Sequence, residues 1–265
     1  MAKHILTHVE IAERLYVLGY FSKSTTLQQA RRCSAATLRS LVRKYQRAHG
    51  LKVDGYVGYR TANLLYRRRC GVPDQLRVED DGVCKWPGTK IAYATRLDLP
   101  GLTRTQARLA FDTACQQWNE CTNLELYRVH QVTEANIYAH SGLGEKDNLD
   151  GRGGTLAWAE MPCNVSMRSQ LKLIVDAAEE WSLTMAITAF GHEMGHALGL
   201  PHLDRGNLMG PYHNPDIIKP QPGDITAMQE LYGKPKGQKR RRVAVVEISG
   251  TLLINSSPYI LIPKT

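Results

Sequence analysis

The sequence predicts an α+β protein in which a small three-helix unit precedes a larger domain of strands and interspersed helices. Apolar residues in the first 70 positions recur at helical spacing between glycines. From Trp86 onward, short alternating stretches are separated by longer helical ones, which indicates a layered domain. A chain of 265 residues is long enough for one ordinary domain and a small companion.

The N-terminal unit is predicted to contain three helices. Their apolar positions are Ile11, Leu15 and Leu18 before Gly19; Leu38, Leu41, Val42 and Tyr45 before Gly50; and Leu64 and Leu65 within 61–69. The polar stretch from Asp74 to Lys85 indicates an exposed linker.

The larger domain begins with an alternating stretch and ends with a helix. Strands are predicted at 90–97, 124–129, 135–140, near Leu156 and at 171–175, and helices at 103–118, 182–199 and 224–232. Thr103 and Ser182 are predicted to cap their helices. The basic tail after Gly233 contains two apolar stretches, 243–248 and 260–262, that could pair as a hairpin.

The chain carries a net charge of +9, concentrated in its N-terminal third and at 239–242. Solvated helix faces explain this charge better than a nucleic-acid partner, because no base-reading motif accompanies it. An apolar fraction of 43% indicates a globular protein. No apolar run approaches the ~18 residues of a membrane span, so no transmembrane segment is expected.

The N-terminal sequence does not determine the cellular compartment of the protein, because Met1 to Glu10 lacks the apolar stretch of a signal peptide. Either the chain acts where it is made, or a leader is missing, or export uses another route. Six cysteines are too few to indicate a disulfide framework in a chain of this length. We expect Cys115 and Cys121 to be small buried residues.

A metal site is indicated by the stretch from Gly191 to His202. Residues four apart share a helix face, so His192 and His196 can bind one ion together. Gly199 lets the chain reverse, which brings His202 back as a third ligand. Three imidazoles leave the fourth position of a zinc ion for water, as in a catalytic site.

Glu193 adjoins a ligand and points slightly aside, where it can take a proton from that water. The apolar stripe of the same helix lies nearly opposite His192, so core and ligand faces are separate. That stripe consists of Leu183, Ile187, Phe190, Met194 and Leu198. Two histidines alone could be incidental surface residues, but the glycine and third histidine at these offsets argue against that interpretation.

Three further stretches resemble the metzincin peptidases and, among these, the matrix metalloproteinases, or matrixins. Asn207 to Pro211 resembles their methionine turn, in which Met209 would form a hydrophobic floor beneath the zinc. Arg69-Cys70-Gly71-Val72-Pro73-Asp74 resembles their cysteine switch, and 224–233 resembles their closing helix. The resemblance runs from about Leu15 to Gly233.

The resemblance implies a latent zymogen. Its propeptide thiolate, Cys70, would occupy the zinc position that water needs, and an ion pair between Arg69 and Asp74 would hold the switch loop. The catalytic domain would have the metzincin fold, a twisted mixed sheet with a long active-site helix. The implied boundaries are 1–74 for the propeptide, 75–85 for the activation linker, 86–233 for the catalytic domain and 234–265 for the basic tail.

The resemblance also implies a calcium site, built on the glycine-rich loop after Leu149. Carboxylate oxygens and loop carbonyls are the ligands that calcium takes. The implied positions are Asp150, Gly151, Gly153, Thr155, Asp176 and Glu179. A glycine-rich turn beside two unrelated acids is the alternative.

A second, structural zinc of the family is expected to be absent. Its four ligand positions correspond to Leu143, Glu145, Trp158 and Ile174, of which only Glu145 could bind a metal. Adding the nearby His140 does not make a closed four-ligand site. Trp158 and Ile174 are expected to pack together in its place.

The leading functional hypothesis is a zinc metalloendopeptidase, a monomer that hydrolyses peptide bonds in extracellular-matrix-type or other extended protein segments. The resemblance implies an extracellular location and an activating protease. The edge strand at Leu156 and Ala157 is expected to pair with substrate, and Thr188 to border the pocket for the side chain after the cut.

Two alternatives stay open at this stage. The stretch from Gly50 to Gly55, followed by Gly58 and Thr61, resembles peptidoglycan-binding domains as much as matrixin propeptides. A cell-wall-targeted metallo-hydrolase is therefore the second hypothesis. The third is a non-catalytic binding protein on a protease fold, against which the intact Glu193 argues.

Overall fold

The computed structural model describes residues 6–74 and 84–236, together with the backbone of three short strands between 245 and 258. It confirms the α+β class: a helical N-terminal unit precedes a domain with a mixed sheet and three long helices. No helix in this described part is both long and apolar enough to cross a membrane.

Within residues 6–74, four helices form the N-terminal unit. They are α1 (His8–Val17), α2 (Leu27–Arg31), α3 (Ala35–Ala48) and α4 (Tyr59–Leu65). The three predicted helices correspond to α1, α3 and α4, and α2 is an additional short helix. The prediction of a helix over 61–69 was wrong at both ends, because α4 starts after Gly58 and the chain has become a strand by Arg69.

A separate core holds this unit together. Residues of α1 and α3 that recur at helical spacing face each other, as the apolar pattern predicted. The buried apolar residues are Ile11, Ala12, Leu15, Leu18, Tyr20, Leu38, Leu41, Val42, Tyr45 and Leu65.

One six-stranded sheet dominates the described part of the second domain. The strands are β1 (Arg69–Cys70), β2 (Lys90–Arg96), β3 (Glu125–Arg128), β4 (Ile137–Gly142), β5 (Thr155–Ala159) and β6 (Leu171–Asp176). Their spatial order is β1-β5-β6-β4-β2-β3, and β5 and β6 form the antiparallel pair in an otherwise parallel arrangement. The N-terminal unit therefore supplies an edge strand to the sheet.

Helices α5 (Arg104–Cys121), α6 (Leu183–Ala197) and α7 (Pro222–Tyr232) complete the domain, with 3-10 turns at Val132–Glu134 and Glu145–Asp147. Thr103 and Ser182 cap α5 and α6 as predicted. Helix α7 starts two residues before Asp224, whose carboxylate accepts the N–H of Gln221 at the helix start. Helices α5 and α6 share one core with the sheet.

The tail contains β7 (Val245–Ile248), β8 (Thr251–Ile254) and β9 (Ser257–Pro258) in antiparallel order. Within the predicted hairpin of 243–248 with 260–262, the first stretch contains β7, which pairs with β8. Residues 260–262 lie outside the described residues, as do 75–83 of the predicted linker.

Cys84 and Cys163 form a disulfide, a pairing that the cysteine count did not predict. It joins the segment before β2 to the loop between β5 and β6. Two cysteines that are 79 residues apart give no spacing signal, which is why sequence reasoning missed them. Cys33, Cys70, Cys115 and Cys121 are unpaired; Cys115 is buried as expected, and Cys121 is half-buried.

Replacing both disulfide cysteines, in Cys84→Ala/Cys163→Ala, should lower the free energy of unfolding by about 2–4 kcal/mol, because the cross-link restricts the unfolded chain. Urea unfolding of the oxidised proteins measures this difference. Cys33→Ala is the control for removing an unpaired cysteine. If oxidised wild type and the double variant unfold at the same urea concentration, the disulfide contributes no stability.

Candidate metal centre

Helix α6 carries the first two histidines within the domain core. Phe190 and Met194 on its opposite side are fully buried, so the helix has separate core and ligand faces as predicted. The indole N–H of Trp118 donates to the Gly191 carbonyl at 2.9 Å, which ties α5 to α6 one residue before His192.

The rings of His192 and His196 are held by hydrogen bonds from their Nδ1 atoms. His192 Nδ1 donates to the Leu208 carbonyl and His196 Nδ1 to the Leu200 carbonyl, each at 2.7 Å. A carbonyl can only accept, so each Nδ1 carries the hydrogen and each Nε2 presents a lone pair. The two Nε2 atoms lie 3.1 Å apart.

His202 and Cys70 complete a set of four potential ligands. Gly199 has φ of +108°, and a Cβ there would lie 1.9 Å from the Cys84 carbonyl oxygen, so only glycine fits at this reversal. The ligand atoms of His192, His196, His202 and Cys70 all lie within 4.8 Å of one another. In the described part of the chain, neither ring nitrogen of His202 has a hydrogen-bond partner.

These residues fit a zinc ion. Facing lone pairs repel unless a cation lies between them. On a tetrahedral zinc with bonds of 2.0–2.1 Å, two ligand nitrogens would be about 3.3 Å apart, close to the separation of the two Nε2 atoms. Burial lowers the pKa of His192 to about 4 and also lowers that of His196 and His202, which favours the neutral imidazole that binds metal. Burial and the nearby Glu193 raise the pKa of the Cys70 thiol, so a thiolate there requires a bound cation.

Glu193 lies beside this set and is 1% exposed. Burial raises its pKa to about 8, although Cys70 and Arg69 act in the opposite direction. Its Oε2 atom is buried without a hydrogen-bond partner among the described residues. An unsatisfied buried carboxylate oxygen next to three imidazoles is suited to accept a proton from a bound molecule.

Met209 is fully buried and packs against Gly195, which lies between the two histidines of α6. A Cβ added to Gly195 would lie 2.2 Å from the Met209 sulfur, so the glycine between the histidines allows this close packing. The turn is held by Asp224, a residue that sequence reasoning assigned only to a helix start. Its carboxylate accepts the N–H groups of Leu208 at 2.7 Å and Met209 at 3.0 Å.

The predicted substrate strand is covered by the N-terminal unit. The Arg69 N–H donates to the Gly154 carbonyl at 3.2 Å, and the Gly71 N–H to the Ala157 carbonyl at 2.7 Å. Leu156 and Thr188 line a narrow cavity beside Glu193. The Thr188 hydroxyl donates to the Thr184 carbonyl within α6.

A buried polar network contacts residues 69–74, the segment that resembles the cysteine switch and is called the switch segment below. Arg69 pairs with Asp74, as the resemblance implied, and His49 Nε2 lies 3.0 Å from the other Asp74 oxygen. Burial alone would raise the pKa of Asp74, but His49 and Arg69 outweigh it and lower the pKa to about 2. The Tyr212 hydroxyl lies 2.9 Å from that of Tyr45 and 3.2 Å from His49 Nδ1.

The ligand atoms of the predicted calcium residues do not lie as close together as those of the candidate zinc set. Among the described residues, the candidate zinc set is the cluster of three or more His, Cys, Asp or Glu side chains with close ligand atoms. Asp176 is fully buried, and its Oδ2 has no partner in the described chain. Burial raises its pKa, and the charges of Glu179 and Asp150 add to this effect. Gly151 and Gly153 both have positive φ, as the sharp turn requires.

At the positions of the family's second zinc, Trp158 and Ile174 are directly opposed in the β5–β6 pair. The Trp158 indole donates to the Asp147 carbonyl at 2.7 Å, and Leu143 is exposed. His140 Nδ1 lies 3.0 Å from the Ser141 carbonyl. The absence of a second zinc stays a prediction.

Comparison with known proteins agrees with this geometry. Residues 85–233 match the matrixin family, and residues 9–65 match a putative peptidoglycan-binding domain.

Among curated relatives, rat (Rattus norvegicus) macrophage metalloelastase is 31% identical over 211 residues, covering 75% of this chain and 44% of the relative. Matrix metalloproteinase-18 of Xenopus laevis is 33% identical over 201 residues, with coverages of 71% and 42%. Human (Homo sapiens) neutrophil collagenase is 30% identical over 243 residues, with coverages of 87% and 50%. The chain spans about half the length of these relatives, and it belongs to the matrixin family of peptidases.

Proposed function

We propose that this chain is a latent zinc metalloendopeptidase that hydrolyses peptide bonds in extended protein segments. The observation that carries the proposal is the convergence of His192, His196, His202 and Cys70 beside the buried Glu193. Relatives named metalloelastase and collagenase support matrix-type protein substrates for this chain as well.

The three histidines would hold the zinc, which when bound polarises the scissile carbonyl and acidifies a water molecule. Glu193 accepts the proton of the attacking water on its carboxylate and returns it to the leaving amine. The Leu208 and Leu200 carbonyls keep the two α6 imidazoles oriented throughout, so the nitrogens need not reorganise during reaction.

Substrate would bind along the edge of β5. The Gly154 and Ala157 carbonyls, which now accept N–H groups from Arg69 and Gly71, become available when the switch segment leaves. An extended peptide adds to such an edge through main-chain hydrogen bonds. The cavity bordered by Leu156 and Thr188 would then receive the side chain that follows the scissile bond.

Latency follows from the same placement. While Cys70 lies in the ligand set, neither water nor substrate can occupy its position, and the β5 edge is already paired. We propose that cleavage of the linker between Asp74 and Trp86 by another protease releases the domain that starts near residues 78–86. Calcium bound at the loop beginning with Asp150 is part of the same proposal.

An extracellular location is proposed from the relatives, and the Cys84–Cys163 disulfide supports it, since disulfides persist in oxidising compartments. The match of residues 9–65 to a putative peptidoglycan-binding domain keeps the cell-wall alternative in view. The direct pairing of Arg69 and Cys70 with β5 favours the propeptide role.

Glu193→Ala should retain zinc, because all three histidines remain, and should lose activity by about two to four orders of magnitude, the usual effect of removing a general base. Cleavage of a quenched peptide by the activated protein measures the loss, and metal analysis confirms the zinc content. Near-normal turnover by a zinc-loaded variant would exclude Glu193 as the base.

Cys70→Ser should give a full-length protein that is active without cleavage, because a hydroxyl is a far weaker zinc ligand than a thiolate. The quenched-peptide assay compares uncut wild type with the variant, and a chelator provides the blank. Equal activity of the two uncut proteins would show that Cys70 does not impose latency.

Tyr212→Phe should loosen the docked switch segment, because it removes the hydroxyl that contacts Tyr45 and His49. Loss of a hydrogen bond worth about 1 kcal/mol should speed alkylation of Cys70 in the zinc-loaded precursor roughly fivefold. Mass spectrometry of alkylated peptides follows the reaction. Tyr59→Phe, at an exposed tyrosine of the N-terminal unit, is the control, and matching rates for the two variants would show that the network does not hold the segment.

A further inference from the structure

Two arginines of the N-terminal unit contact acids of the candidate calcium site. Arg14 of α1 places Nη1 2.5 Å from Asp150 Oδ2, and Arg68, just before β1, places Nη2 3.0 Å from Glu179 Oε2. Arg14 Nη1 also lies 3.5 Å from the Thr155 hydroxyl. The N-terminal unit thus contacts this loop through side chains as well as through the strand β1.

These contacts differ from ordinary surface ion pairs, because each has one buried partner. The Arg14 side chain is 5% exposed and that of Glu179 is 0% exposed. Arg14 also donates from Nε to the Leu65 carbonyl at 2.8 Å. A buried charge is strongly destabilising unless an opposite charge or hydrogen bonds compensate it. Arg68 is therefore the counter-charge of the buried Glu179, and the exposed Asp150 is the counter-charge of the buried Arg14.

Every carboxylate oxygen of Asp150 and Glu179 already accepts an N–H group. Asp150 Oδ1 accepts from the Thr155 backbone at 2.6 Å, and Glu179 Oε1 accepts from the Gly153 backbone. Their second oxygens accept from Arg14 and Arg68. Of these donors, only the arginines belong to a separate unit that can leave without unfolding the loop.

Asp176 is the third acid of the site, and no arginine among residues 6–74 and 84–236 forms an ion pair with it. Its Oδ1 accepts the Ala178 N–H at 2.7 Å, while the buried Oδ2 has no partner within the described residues. Three carboxylates thus share two arginine counter-charges. A calcium ion, which takes several carboxylate and carbonyl oxygens at 2.3–2.6 Å, could satisfy all three acids.

From these contacts we infer that Arg14 and Arg68 compete with calcium for Asp150 and Glu179, so that calcium binding and docking of the N-terminal unit oppose each other. The inference rests on the proposed calcium site. Because linkage is reciprocal, the factor by which the arginines weaken calcium binding is the factor by which calcium weakens docking. Calcium would therefore favour release of the switch segment.

Isothermal titration with calcium chloride tests this inference on the full-length, zinc-loaded protein carrying Glu193→Ala, which stays uncut. Arg68→Gln is the decisive variant, because the Arg68 side chain is 42% exposed and fills less of the interior than the buried Arg14 side chain. Arg14→Gln is the second variant. Arg31→Gln is the matched control: it removes the same charge from an arginine that pairs with Glu13, within the N-terminal unit.

Arg68→Gln should bind calcium about tenfold more tightly than the parent, a coupling of ordinary size, and Arg31→Gln should not. Calcium should also speed hydrogen exchange in α1 and residues 69–74 of the parent. Equal calcium affinity in Arg68→Gln and Arg31→Gln, weaker affinity in Arg68→Gln, or no calcium binding by any of the proteins would overturn the inference. Peptide cleavage by Cys70→Ser tests the proposed peptidase activity independently.

Discussion

The candidate metal centre depends on one constraint: two imidazoles on a buried helix must turn their Nε2 atoms to the same point. Helical spacing brings His192 and His196 to one face but does not set the rotation of their rings. The Leu208 and Leu200 carbonyls do so, by accepting from the Nδ1 atoms. Partners of this kind fix both tautomer and ring orientation in metal-binding histidines.

This constraint reaches well beyond α6. The Leu208 backbone accepts from His192 through its carbonyl and donates through its N–H to Asp224. A carboxylate at the start of α7 is thereby connected to a ligand of the candidate zinc site through a single residue. Asp224 is fully buried, so its charge is compensated largely by these N–H donors. The methionine turn and the closing helix thus orient the ligand as well as support it.

Sequence reasoning located the residues whose relationships are local. The HExxH spacing, the glycine turn and the helix caps lie within a few positions of each other, so periodicity and backbone chemistry were sufficient. The contacts of Tyr212 with Tyr45 and His49 join positions more than 160 residues apart, and no local pattern marks them. The end of the third predicted helix was missed because it also depends on a distant contact: Arg69 belongs to a strand through its pairing with Thr155.

Thr155 lies next to three residues of the N-terminal unit. It is the register partner of Arg69 and lies within reach of Arg14, and a Cβ on Gly71 would approach its methyl carbon to 2.6 Å. The same residue starts β5 and is the last position of the candidate calcium loop. Displacing the N-terminal unit would therefore remove the edge strand β1, the Cys70 thiol from the candidate ligand set, and the ion pairs of Arg14 and Arg68 in one step. Such shared contacts make docking cooperative, because losing any one of them weakens the geometry that the others need.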